Sequence, residues 1–270
     1  ASGAQFYTIW SHAYGLRALA VALRDGAPGA APEALRAKAR ELIRVLRIYQ
    51  SPEGGFGYLD FRAPGYKPSW STSFTTATCL VALHEARAAG LTVPQELIDG
   101  GVRNILMCRT PEGSFLYGSY MRYSPARGIN RPKGSSMRTP ACNLALWLSG
   151  RKASEKELRT GLEQLVRHHR FAVAGVRRPI PHESWYQVSG YFYLYGHLYA
   201  AMVLEHLPAE DRARFWPHLV RSVLKCRQND GSFWDYPTYG YHKAYGTGYA
   251  LMTLARCPPA IAARLRPEKG

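Results

Sequence analysis

Apolar residues recur along this chain at helical spacing, in two alternating styles. The segment from Tyr7, YTIWSHAYGLRALAVALR, is apolar on nearly all sides, with Leu16, Leu19, Ala20 and Leu23 at helical intervals. DGAPGAAP interrupts it. Pro32 and Glu33 then open a segment through Ile48 that sets Leu35, Leu42, Val45 and Leu46 against Arg36, Lys38, Arg40, Arg44 and Arg47 on the other face. An apolar helix followed by an amphipathic one predicts an inner helix covered by an outer one. The pair recurs as STSFTTATCLVALHEARAAG with VPQELIDGGVRNILMC, GSSMRTPACNLALWLSG with ASEKELRTGLEQLVRHH, and VSGYFYLYGHLYAAMVLEHL with PAEDRARFWPHLVRSVLKC. HKAYGTGYALMTLARC is a fifth inner-type segment. Pro94 with Glu96 and Asp99 suits a helix start, and Ser154 with Glu157 has capping-box spacing. Pro140 and Pro217 lie early in their segments and predict delayed or kinked starts.

A six-residue motif punctuates the pairs: SPEGGF at 51–56, TPEGSF at 110–115 and QNDGSF at 228–233. Gly54 and Gly113 are 59 residues apart, and Gly113 and Gly231 are 118 apart, so the copies share one period. The copy due near Ala172, in HHRFAVAG, has decayed. Such a period signals stacked supersecondary units. The expectation is an all-α array of about four and a half hairpins forming one domain over 1–270, with repeats near 5–58, 59–117, 118–176 and 177–235 and a last inner helix at 240–257. The motif follows an outer helix, so its glycines suit a positive-φ helix stop and its Phe56, Phe115 and Phe233 suit burial. Glu53, Glu112 and Asp230 precede the glycines at helix C-termini, where the dipole disfavours them, so each is expected to bond backbone amides or an arginine. Inner-to-outer links are short; outer-to-inner links are long, begin at the motif or its decayed copy, and are rich in aromatics. In a hairpin array these long links gather at one mouth.

Composition refines this picture. The net charge is +16, but the basic residues are spread over helix faces and loops, and no nucleic-acid module is present, so specific nucleic-acid binding is not expected. Five cysteines without a C-x-x-C pair read as small buried hydrophobes. No apolar run approaches the roughly 18 to 20 residues of a membrane span. The first residue is Ala1 rather than methionine, compatible with removal of a leader or preceding domain.

YQSPEGGFGYLDF followed by STSFTTATCLVAL, and KCRQNDGSFWDY followed by YGTGYALMTL, resemble the repeats of the terpenoid cyclase and protein prenyltransferase superfamily, including the QW repeat of squalene-hopene cyclases. The resemblance implies an α/α toroid of inner and outer helices. It does not extend to the catalytic signatures: neither the Asp-x-Asp-Asp acid motif nor the zinc-binding Asp-x-Cys pair occurs. No metal site and no cofactor are therefore expected.

In a toroid the mouth loops and first inner turns would line a cavity. They supply Trp10, His12, Tyr14, Trp70, Arg122, Arg138, His182, Trp185, Tyr191, Tyr195, Tyr236 and Tyr241 as candidate lining, with Asp60, Tyr66, Lys67 and Tyr239 nearby. Tyr191, Tyr195 and Tyr199 share one helical face, behind His182 and Glu183. Asp235, Glu183 and His242 are the candidate catalytic groups, with Asp235 placed to orient His242 as a general base. Three functions follow: a domain binding a lipid-like, isoprenoid small molecule, with aromatic faces able to stabilise a carbocation; a lyase or hydrolase of an acidic glycan, with Arg122 and Arg138 meeting uronates; and a non-catalytic binding or scaffold domain of a longer protein.

Overall fold

A computed structural model of the chain describes residues 8–26, 28–58, 70–150, 152–176, 178, 180–236 and 240–265. The fold is all-α: among these residues β structure is confined to isolated bridges. No described helix is long and apolar enough to cross a membrane. All five cysteines are buried thiols.

The chain divides into two compact units. The first comprises Ala1–Thr110, Leu116–Pro125 and Ala145–Lys152. It contains α1 (Thr8–Asp25), α2 (Pro32–Tyr49), α3 (Ser73–Ala88) and α4 (Gln95–Met107). Every residue of α3 from Ser73 to Leu83 is buried, as expected of an inner helix. Two of its hydroxyls turn back on the helix: Thr76 donates to the Thr72 carbonyl at 2.7 Å and Thr78 to that of Phe74 at 3.0 Å. Phe74, Leu80, Val81 and Leu83 each contribute about 1.5–3 kcal/mol by burial. α2 and α4 bury one stripe each, Ala39, Leu42, Ile43 and Leu46 on the first and Leu97, Ile98, Val102 and Ile105 on the second. α1 differs from its sequence pattern: it also buries only one stripe, Ile9, Ala13, Leu16, Arg17 and Ala20, and leaves Val21 exposed.

Arg17 is buried and forms a fork on Glu85 of α3, with Nε and one Nη at 2.7 and 3.0 Å from the two carboxylate oxygens. Removing one partner strands the other in a low-dielectric site, so Arg17→Met is expected to lower stability by about 3 kcal/mol. The double variant Arg17→Met/Glu85→Leu should recover most of that loss in urea unfolding, and equal losses in the two would show that the ion pair is not what fixes α1.

The second unit comprises Pro111–Phe115, Ala126–Leu144 and Ala153–Gly270. It contains α5 (Pro132–Ser135), the first residues of α6 (Thr139–Leu148), α7 (Glu155–Val176), α8 (Tyr193–Leu204), α9 (Ala209–Leu224), α10 (Tyr241–Ala255) and α11 (Pro259–Arg264). α8 is buried at every position. α7 starts on the expected capping box: the Glu157 carboxylate accepts from the Ser154 amide at 2.7 Å, and the Glu157 amide donates to Ser154 Oγ at 3.3 Å. Arg159 of α7 grips Asp211 of α9 at 2.8–3.0 Å. Two boundaries correct the sequence pattern. The decayed motif at HHRFAVAG does not turn, because it lacks the acid–glycine pair, and α7 runs through it to Val176. Pro217 lies well inside α9 rather than at a delayed start.

The motif's glycines and phenylalanines behave as expected. Gly54, Gly113 and Gly231 have φ of 85°, 72° and 84°, and Phe56, Phe115 and Phe233 are buried. Glu53 accepts from Ser119 Oγ and pairs with Arg122 at 3.0 Å. Asp230 accepts from the Ser232 amide at 3.1 Å and pairs with Lys243. These donors hold both carboxyls below their ordinary pKa.

Candidate functional site

The long links position two aromatic groups, one in each unit. In the first, Trp10 stacks on Tyr14 and on Phe74, with ring centroids 6.2 and 6.0 Å apart. Trp70 packs edge-on against Tyr58 and Tyr120, and the Tyr58 and Tyr117 hydroxyls are 2.7 Å apart. His12 lies against Tyr49, 6.0 Å between centroids, and burial lowers its pKa. Arg122 is exposed, committed to Glu53 and stacked over Tyr123. Asp60, Tyr66 and Lys67 lie outside the described residues.

The second group is built on α8, α10 and the link before each. His182 and Tyr186–Gln187 have φ of 64°, 59° and 57°, a left-handed conformation that costs a non-glycine residue about 1–3 kcal/mol. This loop is fixed by specific bonds. The His182 amide donates to Ser189 Oγ at 2.8 Å, and His182 Nδ1 donates to the Gln187 carbonyl at 2.7 Å. Nε2 of the neutral ring is thereby the acceptor for the Tyr191 hydroxyl at 2.9 Å. Burial lowers the His182 pKa against the raising effect of the Gln187 carbonyl, and the positive charge of Arg138 lowers it further. Arg138 is buried, donates to the Gly134 and Ile129 carbonyls at 2.9 and 2.8 Å, and lies 5.2 Å from the Phe192 ring centroid.

From Tyr191 the aromatic contacts continue. Tyr191 meets Phe192 and Tyr236 at 4.6 and 5.9 Å between centroids, Tyr236 meets His242 at 4.8 Å, and Tyr195 meets Tyr199 and Tyr249 at 4.6 and 6.2 Å. Asp235 is wholly buried in the same unit. One oxygen, Oδ2, accepts from the Leu194 amide in the first turn of α8 at 2.8 Å, while Oδ1 is buried with no hydrogen-bond partner. Burial pushes this carboxyl up to about 7, against the lowering effect of the Leu194 amide.

The expected Asp235–His242 pair is not formed. His242 Nδ1 bonds the Tyr245 hydroxyl instead, and burial lowers its pKa to about 4. Glu183 points to solvent, and Trp185 is 75% exposed, so neither joins the group. Tyr241 begins α10, and its side chain, like Tyr239, lies outside the described residues. Two features escaped the sequence: the left-handed loop, for which HESWYQ carries no glycine signal, and the role of Gly190, whose added Cβ would lie 2.7 Å from the Asp235 carbonyl.

No protein-family model matches the chain, and no characterised protein matches it in sequence. Solved structures do. The type II terpene cyclase MstE from Scytonema superposes with a TM-score of 0.52 at 15% identity, covering 95% of this chain and 65% of the cyclase. A point variant of the same enzyme gives 0.51, with the same coverage. A further variant, in complex with geranylgeranyl dihydroxybenzoate, gives 0.47 at 17% identity, covering 96% of this chain and 69% of that one. The chain thus has the α/α-toroid fold of the terpenoid cyclases, and it spans about 65% of the length of the first of these chains.

Proposed function

We propose that this chain binds an isoprenoid-like ligand through the aromatic group of its second unit, with Asp235 as the polar anchor. The observation that carries this is a fully buried carboxyl, one oxygen of which has no partner, in the unit where the rings of Tyr191, Tyr236 and His242 pack in succession. A pocket of aromatic faces with a few convergent polar groups suits an apolar chain ending in an oxygen. At neutral pH a substantial fraction of Asp235 is protonated and able to donate from Oδ1 to a ligand hydroxyl or carbonyl oxygen. A fold shared with a terpene cyclase supports the ligand class. A glycan is less well supported, because Arg122 is engaged by Glu53 and Arg138 is buried against backbone carbonyls.

A carboxyl with a pKa near 7 is a weak acid toward an unactivated alkene, so binding rather than alkene protonation is the primary role. The test is thermal unfolding of the full chain with geranylgeraniol, alongside mass analysis for an isomeric product. A concentration-dependent rise in Tm, reduced in Tyr195→Ala, is expected; no rise and no product at the solubility limit of the alcohol would reject the proposal.

A further inference from the structure

We propose that His169, His197 and His218 form a binding site for a first-row divalent metal ion of the zinc type. The three residues come from α7, α8 and α9 in the second unit, and each offers one ring nitrogen to a cluster in which all three lie within 4.8 Å of one another. The inference is independent of the ligand reading above. His169 and His197 centroids are 5.6 Å apart, and His169 and His218 centroids 4.6 Å apart.

The surrounding bonds prepare the rings as ligands. His197 is fully buried, and its Nδ1 donates to the Tyr193 carbonyl at 2.7 Å. That fixes the tautomer and leaves the lone pair on Nε2, a buried atom with no partner. His218 Nε2 is likewise buried without a partner. His169 Nε2 lies 2.9 Å from the Tyr193 hydroxyl, which itself donates to the Ser222 carbonyl at 3.3 Å, so one tyrosine braces two of the three histidines. Burial, the largest cause in each case, and at His169 and His218 the nearby charge of Lys225, favour the neutral form of the three rings.

Two unpartnered buried nitrogens are unfavourable in a core that needs no ligand, since each forfeits hydration without return. A bound cation removes that cost. Metal–nitrogen bonds of about 2.0–2.1 Å in tetrahedral geometry place nitrogens roughly 3.4 Å apart, so each ring must move inward by less than about 1 Å. Three histidines leave a fourth position. A cleft of about 290 Å³ lined by Glu163, Val166, Arg167, Arg214, Phe215 and His218 borders the cluster at His218. The surroundings carry Lys225, whose charge acts on both His169 and His218, and Arg214, which pairs with Glu163. Without a carboxylate in the set, calcium and magnesium are poorly served, whereas imidazole suits zinc, cobalt, nickel and copper.

The experiment uses the full chain stripped with chelator and titrated with Zn²⁺ by calorimetry, with Co²⁺ as a spectroscopic probe. About one equivalent should bind, and Co²⁺ should give the visible bands of a nitrogen-ligated low-coordinate ion. His169→Gln and His218→Gln, both at half-buried positions, should each weaken binding by at least about tenfold. His168→Gln, on the same helix but outside the cluster, should not. Zn²⁺ should also raise the Tm of the wild type and of His168→Gln but not of the other two. Absence of stoichiometric binding by the wild type, or binding unchanged in both ligand variants, would overturn the proposal.

Discussion

Gly54→Ala is expected to lower the stability of this chain by about 3–5 kcal/mol, whereas Gly231→Ala, at the equivalent motif position, should cost only about 1–2 kcal/mol. The two glycines have nearly the same φ, 85° and 84°, so the backbone penalty for a Cβ is common to both. The neighbours differ. A Cβ on Gly54 would lie 2.4 Å from the Gly100 carbonyl oxygen and 2.7 Å from its Cα, main-chain atoms of α4 that cannot rotate aside. At Gly231 a Cβ meets nothing within 4 Å. Gln50 reinforces the contact by donating to the Gly54 carbonyl at 2.8 Å and to that of Leu97 in α4 at 2.9 Å. Urea unfolding of both variants measures the difference directly. Equal losses would mean that α4 yields to the methyl group and that the close packing of turn on helix contributes nothing.

That contact also explains what the sequence could and could not disclose. The motif's glycines, acids and phenylalanines each have a local reason, and so does the capping box at Ser154; their roles were legible because a turn or a helix start is decided by a few adjacent residues. Gly100 and Gly101, which look out of place inside a helix, make sense only once the Gly54 turn and the Leu80 side chain are seen against them. The same limit applies to chemistry. Asp235 was identifiable as a candidate from its loop, but its partner was not: the Leu194 amide belongs to another helix, and the nearby His242 bonds Tyr245. The three clustered histidines lie on three helices, and only helix packing brings them together. The decayed motif misled in the opposite direction, since the period demanded a turn where Ala172, Val173 and Ala174 simply continue a helix.

Asp235→Asn should remove a loss of stability that the wild type suffers as the pH rises from about 4 to 7, and leave the variant more stable than the wild type above that window. The folded carboxyl is pushed up to about 7 by burial, whereas in the unfolded chain it titrates near about 3.9. Between those values the folded state holds the extra proton. Its stabilising contribution is therefore complete below about pH 4 and is lost as the pH rises to 7, by about 4 kcal/mol in all. The amide of Asn keeps an acceptor for the Leu194 N–H and removes the ionisation. His242, lowered by burial to about 4 in the fold, contributes a slope of opposite sign between that value and its ordinary value near about 6.5, and this slope is common to both proteins, so the Asp235 contribution is the difference between the wild-type and Asp235→Asn profiles. The same proton links stability to ligand. If neutral Asp235 donates to a ligand oxygen, affinity of the wild type for geranylgeraniol falls about tenfold per pH unit above 7, while that of Asp235→Asn, whose amide donates at every pH, stays level. A wild-type affinity unchanged between pH 6 and 9 would show that the ligand is held by aromatic faces alone and that the buried acid is not its anchor.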